Sequence, residues 1–250
     1  MPRFAANLSM LFREVPLPER FAAAWAAGFE AVEVLFPYDD PATELRRALD
    51  SAGLPLILFN TPPPNWTGGE RGFAAVPGRE TRFRHDFTRA LRYAELLRPR
   101  ILHVMAGMAE GEEAYRVFVD NLKWAAAEAP HLTLTIEPIN IIDMPGYYLD
   151  DFGRAAAVLQ EVDAPNLALQ FDAYHAHRIT GDVMGTWVAH GHLAAHVQVA
   201  GAEGRHEPVR GAIDYPAFFD RLDADGYTGF VSGEYTPSGP TTEAGLGWMR

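Results

Sequence analysis

Eight short apolar runs alternate with helical patterns along the whole chain, and this alternation limits the fold more than any other feature of the sequence. Runs that are apolar almost throughout are typical of parallel strands, because helices cover both faces of such a sheet. The predicted strands cover residues 4–10, 31–36, 54–60, 101–105, 132–136, 167–171, 193–199 and 229–234. The predicted helices cover residues 19–27, 43–52, 81–97, 112–128, 151–162, 183–188, 216–224 and 242–249.

The number and length of these units predict how the strands are arranged. Eight units in 250 residues give about 31 residues each, which is the length of a strand with its crossover helix and loops. Eight parallel strands favour closure into a (β/α)8 barrel, the TIM barrel, over an open doubly wound sheet. No linker or low-complexity segment interrupts the pattern. The sequence therefore predicts one α/β barrel domain over residues 1–250.

The composition excludes several classes of function. Asp and Glu number 33 against 21 Lys and Arg, and the net charge of −12 makes nucleic acid an unexpected partner. The absence of cysteine excludes disulfide frameworks, thiolate metal sites and cysteine nucleophiles. No run approaches the roughly 18 apolar residues of a membrane span, and the first residues lack the apolar stretch of a secretory signal. We expect a cytoplasmic protein without membrane contact, and the sequence leaves open whether it forms a homo-oligomer.

Neither a Schiff-base lysine nor a nucleotide cofactor is expected. Lys123 is the only lysine and lies in an amphipathic helical pattern, whereas a Schiff-base lysine needs a buried position at a strand end. The chain contains no P-loop, no dinucleotide-binding fingerprint and no Gly-x-Ser-x-Gly pattern. The sequence therefore predicts neither a Schiff-base enzyme nor a nucleotide cofactor.

A polar side chain closes each of the eight apolar runs. Barrel active sites form at the C-terminal ends of the strands, and the opposite rim needs no such set. Loops are polar by default, so one such residue alone indicates little, whereas the complete ring indicates the functional face. The eight residues are Asn7, Glu33, Asn60, His103, Glu137, Asp172, Gln198 and Glu234.

The last four residues of this ring predict a metal site. Three carboxylates that converge at a barrel mouth repel one another unless a cation lies between them. Carboxylate and amide oxygens suit Mg²⁺ or Mn²⁺ better than zinc, and the amide of Gln198 is the most informative of them. The predicted metal ligands are Glu137, Asp172, Gln198 and Glu234.

Two other features near these residues allow more than one interpretation. His175 and His177 lie two residues apart, which on an extended segment places both on one side, where they form either a ligand pair or a substrate contact and a structural histidine. We favour substrate contact for His175. The loop over residues 68–72 is either a mobile lid or a plain turn, and its length together with Arg71 favours a lid.

Nine sequence blocks resemble the hydroxypyruvate isomerase family, which is part of the xylose isomerase-like barrels. The blocks occur in order over nearly the whole chain, so the resemblance is more specific than any single block. They cover residues 4–12, 69–72, 77–80, 103–107, 136–140, 170–175, 204–208, 233–235 and 242–248. The chain departs from the family pattern at Gly201, Val209 and Ala212, where the family has Asp, Gly and Glu, and we expect altered loop geometry beside the substrate.

The resemblance implies the interconversion of hydroxypyruvate and tartronate semialdehyde, or of a related 2-oxo acid. It implies that Glu137 and Glu234 transfer the protons, with Glu137, Asp172, Gln198 and Glu234 around a metal ion. Such a reaction removes a proton beside the carbonyl and returns one to the neighbouring carbon through an enediol, with the two carboxyl groups as base and acid.

The carboxylate of a 2-oxo acid needs a positively charged partner, and arginine offers a bidentate fork. The candidates are Arg205, Arg71 and His175. Strand-end and loop positions complete the predicted set of substrate-binding residues, which is His175, Arg205, Glu70, Arg71, His103 and Asn7.

Three alternatives to this isomerase remain open from the sequence. A ketose 3-epimerase would use the same carboxylates and metal on a different carbon. A metal-dependent endonuclease would need more histidine ligands and a basic face, which this acidic chain does not offer. A non-catalytic sugar-acid binder is suggested by the departures at Gly201 and Ala212.

Overall fold

The computed structural model describes residues 2–63 and 71–249, and eight parallel strands close into one barrel. Each strand pairs with the next along the chain, and the last strand pairs with the first, which confirms the predicted (β/α)8 fold. The strands are β1 Arg3–Asn7, β2 Ala31–Glu33, β3 Leu56–Asn60, β4 Ile101–His103, β5 Thr133–Ile136, β6 Leu167–Asp172, β7 Ala194–Val199 and β8 Phe230–Gly233.

Helices follow the strands and cover the outside of the barrel. Seven of the eight predicted helices are confirmed with bounds shifted by a few residues at most, and Lys123 is exposed on α4. The helices are α1 Leu17–Ala26, α2 Ala42–Ala52, α3 Glu80–Leu97, α4 Gly111–Glu128, α5 Phe152–Val162, α6 Ala173–Thr180, α7 Val183–His190 and α8 Tyr215–Ala224. The eighth predicted helix, over residues 242–249, is instead a 3-10 helix over Glu243–Met249.

The prediction of an extended segment around His175 and His177 is wrong, because both lie on α6. The carboxylate of Asp172 caps this helix at its start by accepting a hydrogen bond from the backbone N–H of Tyr174 at 2.7 Å. Two residues along a helix point about 200° apart, so the two histidines cannot share one side. His175 is buried, whereas His177 is only partly covered.

Four strands, β1, β2, β4 and β8, end earlier than the apolar pattern predicts. The first predicted strand runs to residue 10, but the carbonyl of Asn7 already accepts hydrogen bonds from the backbone N–H groups of Met10 and Leu11, so a turn begins there. The apolar residues beyond such turns belong to loops that pack over the barrel mouth.

The inside of the barrel is apolar near the N-terminal ends of the strands and polar toward their C-terminal ends. Five inward-facing side chains form the apolar layer: Ala5, Ala31, Leu58, Ile101 and Phe230. Two residues further along several strands, the same inward face carries polar groups, since side chains alternate with a period of two. Pairing between strands then sets Asn7 beside Glu33 and Asn60 beside His103.

Within residues 2–63 and 71–249, no helix has both the length and the apolar character that a membrane crossing requires.

Candidate active site

All eight strand-end residues of the predicted ring are buried at the C-terminal end of the barrel, and none is more than 7% exposed. A cavity of about 250 Å³ lies at this end. Its lining side chains are Met10, Leu35, Phe36, Asn60, Arg71, His103, Met105, Glu137, Ile139, Asp143, Met144, Gln170, His175, Arg205 and Glu234.

The two predicted catalytic carboxylates, Glu137 and Glu234, line this same cavity. Glu137 directly follows β5 and Glu234 directly follows β8, so they reach the cavity from different sides of the barrel. Arg205 stands beside them, and its Nη2 lies 3.1 Å from Oε2 of Glu234 and 3.3 Å from Oδ2 of Asp172. One guanidinium therefore neutralises part of the charge of a carboxylate cluster.

Burial and mutual repulsion disfavour the ionised form of the two glutamates. Burial, together with the carboxylates of Glu234 and Asp172, raises the pKa of Glu137 well above its usual value. Burial raises the pKa of Glu234 to about 8, although Arg205 acts in the opposite direction. Burial alone would lower the pKa of Arg205, but Glu234 and Asp172 raise it, so the guanidinium stays charged.

Asn140 fixes the orientation and the tautomer of His175. Its side-chain oxygen accepts hydrogen bonds from the backbone N–H groups of Ile142 and Asp143, at 3.1 and 3.0 Å, so its NH₂ group must face the other way. That NH₂ lies 2.7 Å from Nδ1 of His175. Burial lowers the pKa of His175 to about 4, so the ring is neutral at pH 7. Since Nδ1 accepts, the proton is on Nε2, which lies 3.6 Å from Oδ2 of Asp172.

Glu137, Asp172 and His175 form a candidate site for a divalent metal ion. One potential ligand atom from each lies within 4.8 Å of the others. Burial, and after it the carboxylates of Glu234 and Asp172, raise the pKa of Glu137, and a cation at this place would stabilise the ionised form. The buried carboxylates therefore fit a divalent cation. The proton on Nε2 of His175 favours donation to a ligand oxygen over direct coordination.

Gln198, the predicted amide ligand, is held in one orientation by its neighbours. Its NH₂ donates to Oε1 of Glu33 at 2.7 Å, which leaves its oxygen facing the site. That oxygen accepts from Nε2 of Gln170 at 2.7 Å, and Gln170 also donates to Oε2 of Glu137 at 3.1 Å. Gln198 and Asp172 are buried behind the cavity lining, and each contacts a lining residue.

Gln170 and Asn140 are not among the predicted site residues, although the sequence around each indicates a buried polar role. Gln170 is a polar residue inside an apolar run, two positions before Asp172 and so on the same face of β6. Asn140 ends one of the blocks that carry the family resemblance. Polar residues at such places point to buried hydrogen bonding.

A buried hydrogen bond between His196 and Glu33 supports this network from the N-terminal side of the barrel interior. Nε2 of His196 lies 2.6 Å from Oε2 of Glu33. Burial alone would raise the pKa of Glu33, but His196 and the hydrogen bonds from His196 and Gln198 lower it. The NH₂ of Asn7 also donates to Glu33 at 2.8 Å, and the oxygen of Asn7 accepts from the N–H of Ser9 at 3.0 Å. Both polar ends of Asn7 thus have protein partners, and its predicted substrate contact stays a prediction.

The other predicted substrate-binding residues lie in different settings. Arg71 is half-buried and lines the cavity. Glu70, and with it most of the proposed lid over residues 68–72, lies outside the described residues. His103 lines the cavity with both ring nitrogens unpartnered among the described residues, and its Nδ1 is 3.7 Å from Oε2 of Glu137, too far for a hydrogen bond.

The three departures from the family pattern lie in the loop that carries Arg205. The N–H of Gly201 donates to the carbonyl of His206 at 2.7 Å, and a Cβ at position 201 would lie 2.7 Å from the carbonyl oxygen of Glu207. Gly201 thus permits a tight closure of this loop. Val209 and Ala212 are exposed, and both line a separate groove outside the cavity.

Comparison with known proteins gives matches over the full length of the chain. A family model for xylose isomerase-like TIM barrels matches residues 21–250. The 2-oxo-tetronate isomerase of Cupriavidus necator is 46% identical over 100% of this chain and 98% of that protein. The hydroxypyruvate isomerase of Escherichia coli is 39% identical over 100% of this chain and 98% of that protein.

A crystal structure described as an AP endonuclease, family 2, from Brucella melitensis is 44% identical and superposes with a TM-score of 0.95. The superposition covers 100% of this chain and 98% of that one. These matches confirm the resemblance that the sequence blocks indicate.

Proposed function

The chain belongs to the xylose isomerase-like TIM barrel family, and from that premise we propose that it moves the carbonyl group of a short 2-oxo acid between C2 and C3. The protein is an isomerase, as are its relatives of that name at 39–46% identity. Interconversion of hydroxypyruvate and tartronate semialdehyde is one such reaction, and the corresponding change in a four-carbon 2-oxo acid is another.

The placement of Glu137 and Glu234 in one small cavity carries this proposal. An isomerisation of this kind needs a base and an acid within reach of two adjacent carbons. The cavity of about 250 Å³ is smaller than sites for drug-sized ligands, which start at roughly 300 Å³, and suits an acid of three or four carbons.

The raised pKa values of both glutamates suit the two roles. One carboxylate takes a proton from the carbon beside the carbonyl, and the protonated partner delivers one to the carbon that was the carbonyl. At neutral pH, two coupled carboxyl groups with raised pKa values titrate as a pair, so a state with one proton between them is accessible. The hydroxyl proton of the substrate moves to the former carbonyl oxygen, and no atom is gained or lost.

Arg205 and His175 supply positive charge and a hydrogen-bond donor beside the reacting atoms. Arg205 is held between Glu234 and Asp172 and lines the cavity, so its guanidinium can contact a substrate oxygen. The proton on Nε2 of His175 is aimed at the same region. A fixed donor of this kind stabilises negative charge that develops on oxygen during the reaction.

Glu137, Asp172, Gln198 and Glu234 are the residues proposed to hold a divalent cation. Their oxygen atoms are hard ligands and favour Mg²⁺ or Mn²⁺. When bound, such an ion supplies Lewis-acid stabilisation of charge on the substrate oxygens. The partner is a small sugar acid, and a cytoplasmic location remains a prediction from the sequence.

Solvent deuterium exchange tests this proposal directly. Hydroxypyruvate and 2-oxo-tetronate are incubated with the protein in deuterated water, with Mg²⁺, with Mn²⁺ or with a chelator. We expect deuterium at the carbon beside the carbonyl and formation of the isomeric oxo acid. Exchange of neutral ketoses instead of the oxo acids would favour a ketose 3-epimerase, and binding without any exchange would favour a non-catalytic sugar-acid binder.

A further inference from the structure

Asn60 and His103 are buried polar residues at the cavity whose hydrogen-bonding capacity is unused. Asn60 is 4% exposed and His103 is 1% exposed. The side-chain oxygen of Asn60 and both ring nitrogens of His103 have no hydrogen-bond partner among the described residues. A buried polar group without a partner costs free energy, so such groups at a cavity indicate a ligand that satisfies them.

The two residues are neighbours across the barrel sheet. Asn60 ends β3 and His103 ends β4, and their Cα atoms are register partners in the pairing of these strands. Neighbouring strands lie about 4.8 Å apart, so paired residues on the same face are adjacent. Both line the same cavity, so one ligand group can contact the two together.

Apart from Arg71, the wall around them is apolar on this side of the cavity. The groups proposed to react or to hold the cation follow β5 to β8, whereas the strands and loops of the first half contribute Met10, Leu35, Phe36 and Met105. A substrate held at the reacting end therefore directs its remaining atoms toward a wall whose strand-end polar groups are Asn60 and His103.

The chemistry of the pair selects a hydroxyl group. The ring of His103 presents two unpartnered nitrogen atoms that can form hydrogen bonds with a ligand. The free oxygen of Asn60 offers only an acceptor. A carboxylate has no proton to give to that oxygen, whereas a hydroxyl donates one hydrogen bond and accepts another.

We propose that Asn60 and His103 together bind a hydroxyl group on the carbon beyond the reacting pair, so that the site is built for a four-carbon 2-oxo acid that ends in a hydroxymethyl group. This inference rests on the proposed function and adds the length of the substrate's carbon chain. Hydroxypyruvate has no such group, so it leaves both residues unpaired and is the poorer substrate.

The test compares two four-carbon acids that differ only in this hydroxyl. They are 2-oxo-tetronate and its 4-deoxy analogue, 2-oxo-3-hydroxybutanoate, and kcat/KM is measured for each by isomer formation and deuterium exchange. We expect the wild-type protein to prefer 2-oxo-tetronate by about 10- to 100-fold, because sites built around a substrate hydroxyl discriminate against its absence. Equal kcat/KM values for the two acids would overturn the inference.

Variants of Asn60 and His103 test whether these two residues cause the preference for 2-oxo-tetronate. In Asn60→Leu, Asn60→Ala and His103→Phe, we expect the preference to fall to within about threefold, because the hydroxyl has lost a partner. A preference that survives in all three folded variants would overturn the assignment. If a variant fails to fold, the wild-type comparison still decides whether the hydroxyl is recognised.

Asn121→Ala is the matched control. Asn121 is also a buried asparagine, but it donates to the carbonyl of Ala74 at 2.8 Å and is not part of the cavity lining. We expect a lower Tm with an unchanged preference between the two acids. If wild type exchanges neither acid nor hydroxypyruvate, the proposed function itself fails, whereas equal exchange of both acids counts against this inference alone.

Discussion

The side-chain nitrogen of Asn140 lies 2.7 Å from Nδ1 of His175, and this contact determines which ring nitrogen carries the proton. The orientation of Asn140 is itself fixed by two backbone N–H groups of the loop after β5. The loop after β5 thereby determines which nitrogen of His175 can donate a hydrogen bond in the cavity.

Asn140→Asp tests this relationship. It replaces the NH₂ group with an acceptor, so we expect the proton of His175 to move to Nδ1 and turnover to fall about 100-fold, as on loss of an oxyanion donor. Nitrogen-15 NMR of the ring reports the tautomer. Asn166→Asp is the control, since Asn166 donates to three backbone carbonyls elsewhere, and unchanged tautomer and turnover in Asn140→Asp would contradict the assignment.

Glu234→Gln tests proton transfer. The substitution keeps the shape of the side chain and removes its ability to exchange a proton, so we expect kcat to fall about 100- to 10,000-fold with little change in Tm. Deuterium exchange provides the measurement, and Glu243→Gln, at an exposed position, is the control. Turnover close to that of wild type would refute the role of Glu234.

Addition of a divalent cation tests the metal site through stability. A ligand that binds only the folded state at 100 times its Kd adds about 2.7 kcal/mol. We expect Mg²⁺ or Mn²⁺ to raise Tm, a chelator to reverse the rise, and Asp172→Asn to reduce it. A Tm that does not respond to either ion in wild type would speak against a cation at these carboxylates.

Glu33→Ala tests the buried hydrogen bonds that Glu33 accepts inside the barrel. It leaves His196 and the NH₂ groups of Asn7 and Gln198 without their acceptor, so we expect a loss of about 3–5 kcal/mol in the free energy of unfolding. Urea denaturation gives the value. The control is Glu30→Ala, which breaks the half-exposed pair with Arg3 and costs about 0–1 kcal/mol. Similar losses in both variants would mean that the buried contacts of Glu33 contribute no more to the free energy of unfolding than the surface pair of Arg3 and Glu30.

Gly201→Ala tests the closure of the loop that carries Arg205. The added methyl would lie 2.7 Å from the carbonyl oxygen of Glu207, so the loop must move and Arg205 with it. Misplacement by about 1 Å can cost 100-fold, and we expect kcat/KM to fall about 10- to 100-fold. At Gly211, the control, an added methyl meets nothing closer than 3.9 Å. Equal kcat/KM in the two variants would show that this closure does not position Arg205.

The fold and the ring of strand-end residues follow from the sequence because both depend on local pattern. Each apolar run ends in a polar residue at a position that the barrel topology brings to one rim, so Glu137 and Glu234 are found without knowledge of their distance. Helix α6 was missed because it begins directly after β6 without a glycine or proline between them, and only Asp172 as a capping residue signals its start.

The supporting contacts could not be predicted in the same way. Glu33 and His196 are 163 positions apart in the chain, and their contact depends on barrel closure and on strand register. The same holds for Gln170 between Gln198 and Glu137, because a pattern along one strand does not specify which side chain lies opposite. Side-chain direction across the barrel interior is a property of the whole fold.

The division of the cavity wall between the two halves of the chain has a consequence for how new specificities arise. Proton transfer is assigned to side chains that follow β5 and β8, while the largely apolar wall with Asn60, Arg71 and His103 comes from β1 to β4 and the loops that follow them. Substitutions at these wall positions can therefore lengthen, shorten or reshape the accepted carbon skeleton while the proton-transfer residues stay unchanged. Evolution, or a directed library, can vary the two halves separately.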